Sequence, residues 1–86
     1  MIKVKRFTAV WCGPCRQLAP LFEQFKENFP NVSFETIDVD TSPEETQENF
    51  ITSIPTVIFF KDGVAKQRFV GAQPKSMYVD TINSLI

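Results

Sequence analysis

The sequence predicts an α/β chain: a four-stranded mixed sheet flanked by three helices, in the order β-α-β-α-β-β-α. Three observations carry the prediction. Ile2–Ala9, Pro14–Phe29 and Val32–Val39 read in turn as strand, helix and strand, a βαβ unit whose strands run parallel with a right-handed crossover. Thr56–Phe60 is a near-continuous apolar run, as a central strand buried on both faces requires. Asp62-Gly63 is a hairpin turn signal that returns the chain antiparallel.

Each element has its own signals. In the first helix Leu18, Leu21, Phe22, Phe25 and Phe29 recur at helical spacing and form one apolar face. Pro20 is expected to kink it, and Pro30-Asn31 ends it. In the second strand Val32, Phe34, Ile37 and Val39 are the expected buried residues. Ser42-Pro43-Glu44-Glu45 starts a short helix that ends near Phe50, with Ser42 as cap, Pro43 in the first turn and Glu45 completing a capping box. The return strand covers Ala65–Val70. Pro74 opens the last helix, whose inner face is read as Met77, Tyr78, Ile82 and Leu85.

The chain has 86 residues, read as a single domain over 1–86, with nine phenylalanines for an aromatic core and a net charge of −1. That balance gives no general reason to bind nucleic acid or a membrane surface. No apolar run approaches the ~18 residues of a membrane span, and no apolar leader is visible. A cytoplasmic location is therefore expected. Charge is uneven: Lys3, Lys5, Arg6 and Arg16 crowd the start, while Glu35, Asp38, Asp40, Glu44, Glu45 and Glu48 follow in the middle. Such runs are ordinarily solvated faces, although a basic end can also steer an acidic partner. The chain has two cysteines and no histidine, which removes Cys–His nucleophile pairs and most zinc sites, and no metal site is expected.

Trp11-Cys12-Gly13-Pro14-Cys15 lies where the first strand ends and the first helix begins. A helix N-terminus carries unpaired N–H groups and partial positive charge, which stabilise a thiolate, and the thiolate is the nucleophile. Two intervening residues let the second sulfur reach the first. Gly13 permits close backbone approach, and Pro14 suits the first helical turn. The expected chemistry is attack by Cys12 on a substrate disulfide, then attack by Cys15 on Cys12, which releases reduced substrate. An outside reductant must restore the dithiol. A structural disulfide and half of a zinc site compete with this reading. The first gains little from so short a loop, and the second lacks its remaining Cys or His ligands. A binding module with dispensable thiols is a further alternative.

The chain resembles the thioredoxin family over nearly its whole length. Trp11-Cys12-Gly13-Pro14-Cys15 matches the family's WCGPC, Pro20 its helix-kinking proline, and Ile54-Pro55-Thr56 the segment whose proline is cis. Phe60-Lys61-Asp62-Gly63 looks like its hairpin, and Val70-Gly71-Ala72 like its V-G-A loop. The resemblance implies the thioredoxin fold, no cofactor beyond the Cys12–Cys15 disulfide, and reduction of protein disulfides. It makes Cys12 the exposed nucleophile and Cys15 the resolving thiol. It also places Trp11, Gly13, Pro14, Ile54, Pro55, Gly71 and Ala72 in the substrate groove, with Ile54 pairing its backbone to an extended substrate. The electron donor stays open, a flavin reductase, glutathione or a phage or host enzyme all being compatible, and a glutaredoxin-like use of glutathione is the alternative activity.

Three departures stand out. Thioredoxins begin with another strand and helix, which makes this a minimal version and turns Val32–Val39 into a sheet edge. Glu35, Asp38 and Asp40 on that edge lead us to expect a monomer. The family's buried aspartate, six residues before the nucleophile, is here Arg6, which cannot act as a base. That aspartate's lysine partner on the next strand is here Thr36. Strand alternation puts Arg6 with Ile2 and Val4, on a face that can bring it near Cys15 as a tuning residue.

Overall fold

In the computed structural model, all 86 residues are described. The elements are β1 (Ile2–Thr8), α1 (Gly13–Asn28), β2 (Val32–Asp38), α2 (Pro43–Glu48), β3 (Thr56–Lys61), β4 (Val64–Val70) and α3 (Lys75–Leu85). The strand order is β2-β1-β3-β4. β1 and β2 are parallel, while β1–β3 and β3–β4 are antiparallel. This is the mixed sheet the sequence predicts, with β2 at an edge. Asp62 and Gly63 take φ of 52° and 82°, the two positive values that a tight right-twisted hairpin demands.

α1 and α3 cover one face. There Ile2, Val4, Val57 and Phe59 of the sheet meet Leu18, Phe22 and Phe25 of α1 and Tyr78 and Ile82 of α3. Tyr78 makes edge-to-face contacts with Phe22, Phe25 and Phe69, and a stacked contact with Phe59. The helix α1 runs through Pro20, which is exposed. On the other face Phe7, Ile37 and Ile58 form a smaller cluster, with Val39, Ile51, Ile54 and Phe60 packed against it.

Four expectations need correction. Met77 is not on the inner face of α3 but 42% exposed. Tyr78, Ile82 and Leu85 define the stripe, and Met77 lies one residue, about 100°, around the helix from Tyr78. Val79 packs against the core instead. The capping box of α2 does not form, because the Ser42 side chain makes no capping bond and the Glu45 carboxylate is taken by Lys5 Nζ at 2.6 Å. α2 ends at Glu48, buries nothing, and is followed by Phe50 at φ 55°, a left-handed turn that closes the helix early. Phe34 and Val39, expected to be buried, are only half-buried, Phe34 on the helical face and Val39 beside Ile37 on the other.

Candidate active site

The parallel pairing of Thr8 with Asp38 brings the ends of β1 and β2 to one edge of the sheet. The chain leaves β1 through Ala9, Val10 and Trp11 and enters α1 at Gly13. Cys12 is the N-cap residue, in extended conformation, and its Sγ accepts the Cys15 backbone N–H at 3.3 Å. A sulfur thus stands where Ser, Thr or Asp ordinarily accepts from a helix N-terminus. No acidic side chain lies in that first turn. Cys12 and Cys15 form a disulfide with Cα atoms 5.3 Å apart.

Around the disulfide, Ala9, Cys12 and Cys15 form a small cluster that Val39 and Ile54 complete. Cys15 is fully buried. Cys12 keeps only 6% of its surface, which corrects the expectation of an exposed nucleophile. The reason is local: its sulfur is bonded to Cys15 and its flanks are covered by Ala9, Val39 and Ile54. It is still the more accessible sulfur-bearing residue of the two.

The loop before β3 supplies the facing wall. The Ile54–Pro55 peptide bond is cis. The Pro55 carbonyl accepts the Gly71 N–H at 2.7 Å, which ties the cis-proline loop to the end of β4. Gly71 sits at φ 87°, a conformation that disfavours any residue with a Cβ. Thr56 Oγ1 donates to Ser53 O at 2.6 Å and closes the same loop from the other side. Trp11 is 65% exposed, not core. Trp11, Val39, Ile51 and Ile54 line an open hollow of about 160 Å³ beside the disulfide. The structure therefore brings Cys12, Cys15, Trp11, Ile54, Pro55 and Gly71 together. Pro14, in the first turn of α1, and Ala72, just after Gly71, are exposed, and Gly13 is half-buried.

Two contributors were missed in the sequence. Trp11 Nε1 donates to Asp40 Oδ2 at 2.7 Å. Asp40 was read only as edge charge, yet an indole N–H seeks a partner and parallel strand ends lie side by side. Val39, read as a strand residue, packs against the disulfide. Arg6 is where alternation placed it, buried at 6% exposure and directly paired with Thr36 across the sheet. Its Nη2 lies 3.3 Å from Thr36 Oγ1 and its guanidinium 5.4 Å from the Phe22 ring centre. Burial pulls the Arg6 pKa below the ordinary guanidinium value, against the opposing pull of Glu23 and Tyr78. The largest apolar hollow, about 400 Å³ between Ile2, Phe29, Val32, Leu85 and the termini, shares no residue with this site.

The Thioredoxin family profile matches residues 2–84. The chain belongs to the thioredoxin family. It is 39% identical over 71 residues to thioredoxin-1 of Saccharomyces cerevisiae, covering 83% of this chain and 69% of that protein. It is 39% identical over 77 residues to the thioredoxin of Chlamydia trachomatis, covering 90% and 76%. Among solved structures, Fasciola hepatica thioredoxin superposes with a TM-score of 0.93 at 38% identity, over 99% of this chain and 81% of that one. The oxidised mitochondrial thioredoxin 3 of Saccharomyces cerevisiae gives 0.90 at 33%, over 98% and 78%. This thioredoxin is a protein-disulfide oxidoreductase that works through its Cys12–Cys15 disulfide. No helix is long and apolar enough to cross a membrane.

Proposed function

We propose that this thioredoxin reduces protein disulfides with Cys12 as attacking and Cys15 as resolving thiol, residues 1–86 acting as one domain. The observation that carries the assignment is the Cys12 sulfur at the N-cap of α1, where it already accepts the Cys15 N–H. In the reduced state the same N–H and the helix dipole stabilise a thiolate at Cys12. The thiolate attacks one substrate sulfur and expels the other as a thiol. Cys15 then attacks Cys12, reforming the intramolecular disulfide and releasing the second substrate thiol.

The hollow that Trp11 and Ile54 line beside the disulfide supports a groove reading. Trp11, Gly13 and Pro14 on the cysteine side and Ile54, Pro55, Gly71 and Ala72 on the loop side contact the substrate. Ile54 offers its backbone as a short docking strand. The fit is for an extended protein segment, not for nucleic acid or a membrane. The dithiol is recharged by a reductase in preference to glutathione. A reducing compartment suits such a cycle, and we place the protein in the cytosol. It acts as a monomer, its β2 edge guarded by Glu35 and Asp38.

Insulin reduction monitored by turbidity tests the assignment. Wild type is expected to turn over with thioredoxin reductase at least tenfold faster than with glutathione. Cys12→Ser is expected to be inactive, and Cys15→Ser to accumulate a mixed disulfide on Cys12. A mixed disulfide trapped on Cys15 in Cys12→Ser, with none on Cys12 in Cys15→Ser, would reverse the two roles.

A further inference from the structure

Arg6 is buried, and its Nε has no hydrogen-bond partner. None of the ion pairs of the molecule includes it. Its direct contacts are a threonine hydroxyl at 3.3 Å and the face of the Phe22 ring, neither of which carries a negative charge. A buried cation without a counter-ion is costly, and a nearby group able to become an anion lowers that cost. One such group is at hand. Arg6 and Cys15 line the same open cleft of about 290 Å³, together with Ala9, Ala19, Arg16 and Asp38.

We propose that the Arg6 guanidinium is the counter-charge of the Cys15 thiolate, and that it makes the dithiol form easier to reach and the protein more oxidising. Oxidised, the disulfide is neutral and Arg6 has no ionic partner. During recharging a donor thiolate attacks Cys12 Sγ, the S–S bond breaks, and Cys15 Sγ leaves with the bonding electron pair. Arg6 lines the same cleft as the sulfur on which that charge develops. A second donor thiol then attacks the donor sulfur of the mixed disulfide, releasing the donor as its disulfide and Cys12 as thiolate. In all, two electrons pass from two donor thiols to the protein disulfide. A cation near the leaving sulfur lowers that thiol's pKa and favours its departure.

The other charged groups do not cancel the effect. Arg16 is exposed and screened by water, and it has the same sign. Asp38 is a half-buried carboxylate of the same cleft and opposes a thiolate there, but it forms no ion pair with Arg6 and so does not take the place of the counter-charge. Glu23 is exposed and paired with Lys26 at 3.2 Å. Tyr78 is a phenol, neutral near neutral pH even at its ordinary pKa, and its oxygen accepts the Gln73 N–H at 3.0 Å. Arg6 is thus a positioning residue for charge rather than a catalytic one.

The inference rests on the proposed roles of Cys12 and Cys15, and its test uses no protein substrate. Oxidised wild type, Arg6→Met, Arg6→Gln and Arg6→Lys are equilibrated with glutathione and its disulfide at pH 7, and the dithiol fraction is read by thiol alkylation. The constant for reduction by glutathione is expected to fall about tenfold in Arg6→Met and Arg6→Gln, a potential about 30 mV more negative. Arg6→Lys is expected to stay within about threefold of wild type, the size allowed for a changed charge position. Melting curves of both redox forms confirm folding; where Arg6→Met does not fold, Arg6→Gln carries the comparison. Neutral variants within twofold of wild type overturn the proposal. So does an Arg6→Lys shift as large as that of Arg6→Gln, which would make the effect one of shape. Loss of insulin reduction with the glutathione shift intact would remove the proposed activity and leave this inference standing.

Discussion

On one face of the sheet Val4, Val57 and Phe59 meet two helices through Leu18, Phe22, Phe25, Tyr78 and Ile82. On the other, Phe7, Ile37 and Ile58 meet only loop and rim residues, and α2 contributes no buried side chain. The second face is closed partly by charge. Lys5 Nζ reaches Glu45 at 2.6 Å and lies 5.4 Å from the Phe60 ring centre, and Lys3 pairs with Glu35 at 3.5 Å. Area buried between helices and sheet stabilises in proportion to its extent. Partly solvated ion pairs contribute little each. The helical face should therefore hold the fold, and the charged face should mainly keep water and other chains off a thin cluster.

Matched truncations test this most directly. Ile82 and Ile58 are both buried, at 0% and 1% exposure, one on each face. Ile82→Ala is expected to cost about 4 kcal/mol in urea unfolding, because two helices and a sheet cannot collapse around the cavity. Ile58→Ala is expected to cost about 2 kcal/mol, because the loop over it can relax. Equal losses would mean that the two faces are equally rigid.

A smaller effect is expected from the charged face. Lys5→Met removes both the Glu45 pair and the contact with Phe60. A loss of about 0.5–1 kcal/mol is expected in low salt, shrinking as salt is added. A salt-independent loss would assign the role of Lys5 to the packing of its stem.

The smallest expected effect needs alkaline solution. Burial raises the Tyr78 pKa, against opposing contributions from the Gln73 N–H and Arg6. With a folded pKa above the unfolded value, the native state holds the proton longer. That stability is complete below the unfolded value of about 10 and is lost as pH rises through the folded pKa. Between about pH 9 and about pH 11 the melting temperature of Tyr78→Phe should fall less than that of wild type. Parallel curves would show that Tyr78 does not contribute to the alkaline transition.

Much of the site was legible before any fold was known. A C-x-x-C pair between a strand and an apolar-faced helix fixes where two sulfurs meet, because the capping geometry is local. The resemblance of Ile54-Pro55-Thr56 and Val70-Gly71 to family segments named the facing loop, and the structure ties the two by the Gly71–Pro55 hydrogen bond. What failed failed for tertiary reasons. Glu45 looked like a capping residue because Ser42 preceded it by three positions, but Lys5 reached the carboxylate first. Asp40 looked like surface charge because nothing near it in sequence needs an acceptor; Trp11, its partner, is twenty-nine residues away. Met77 was placed inside because an apolar residue one position from a helical stripe cannot be separated from it by pattern alone.

By itself the sequence determined the order of elements, the dithiol at the start of α1, the Asp62-Gly63 turn and the face on which Arg6 sits. These depend on periodicity, capping and φ preference, which act within a few residues. Only the tertiary structure decided that Cys12 is nearly covered, that Asp40 holds Trp11, and that Arg6 shares a cleft with Cys15 without an ionic partner. Burial and charge pairing belong to that second set because they are set by whatever the other strands and helices bring alongside, and no stretch of sequence carries its own neighbours.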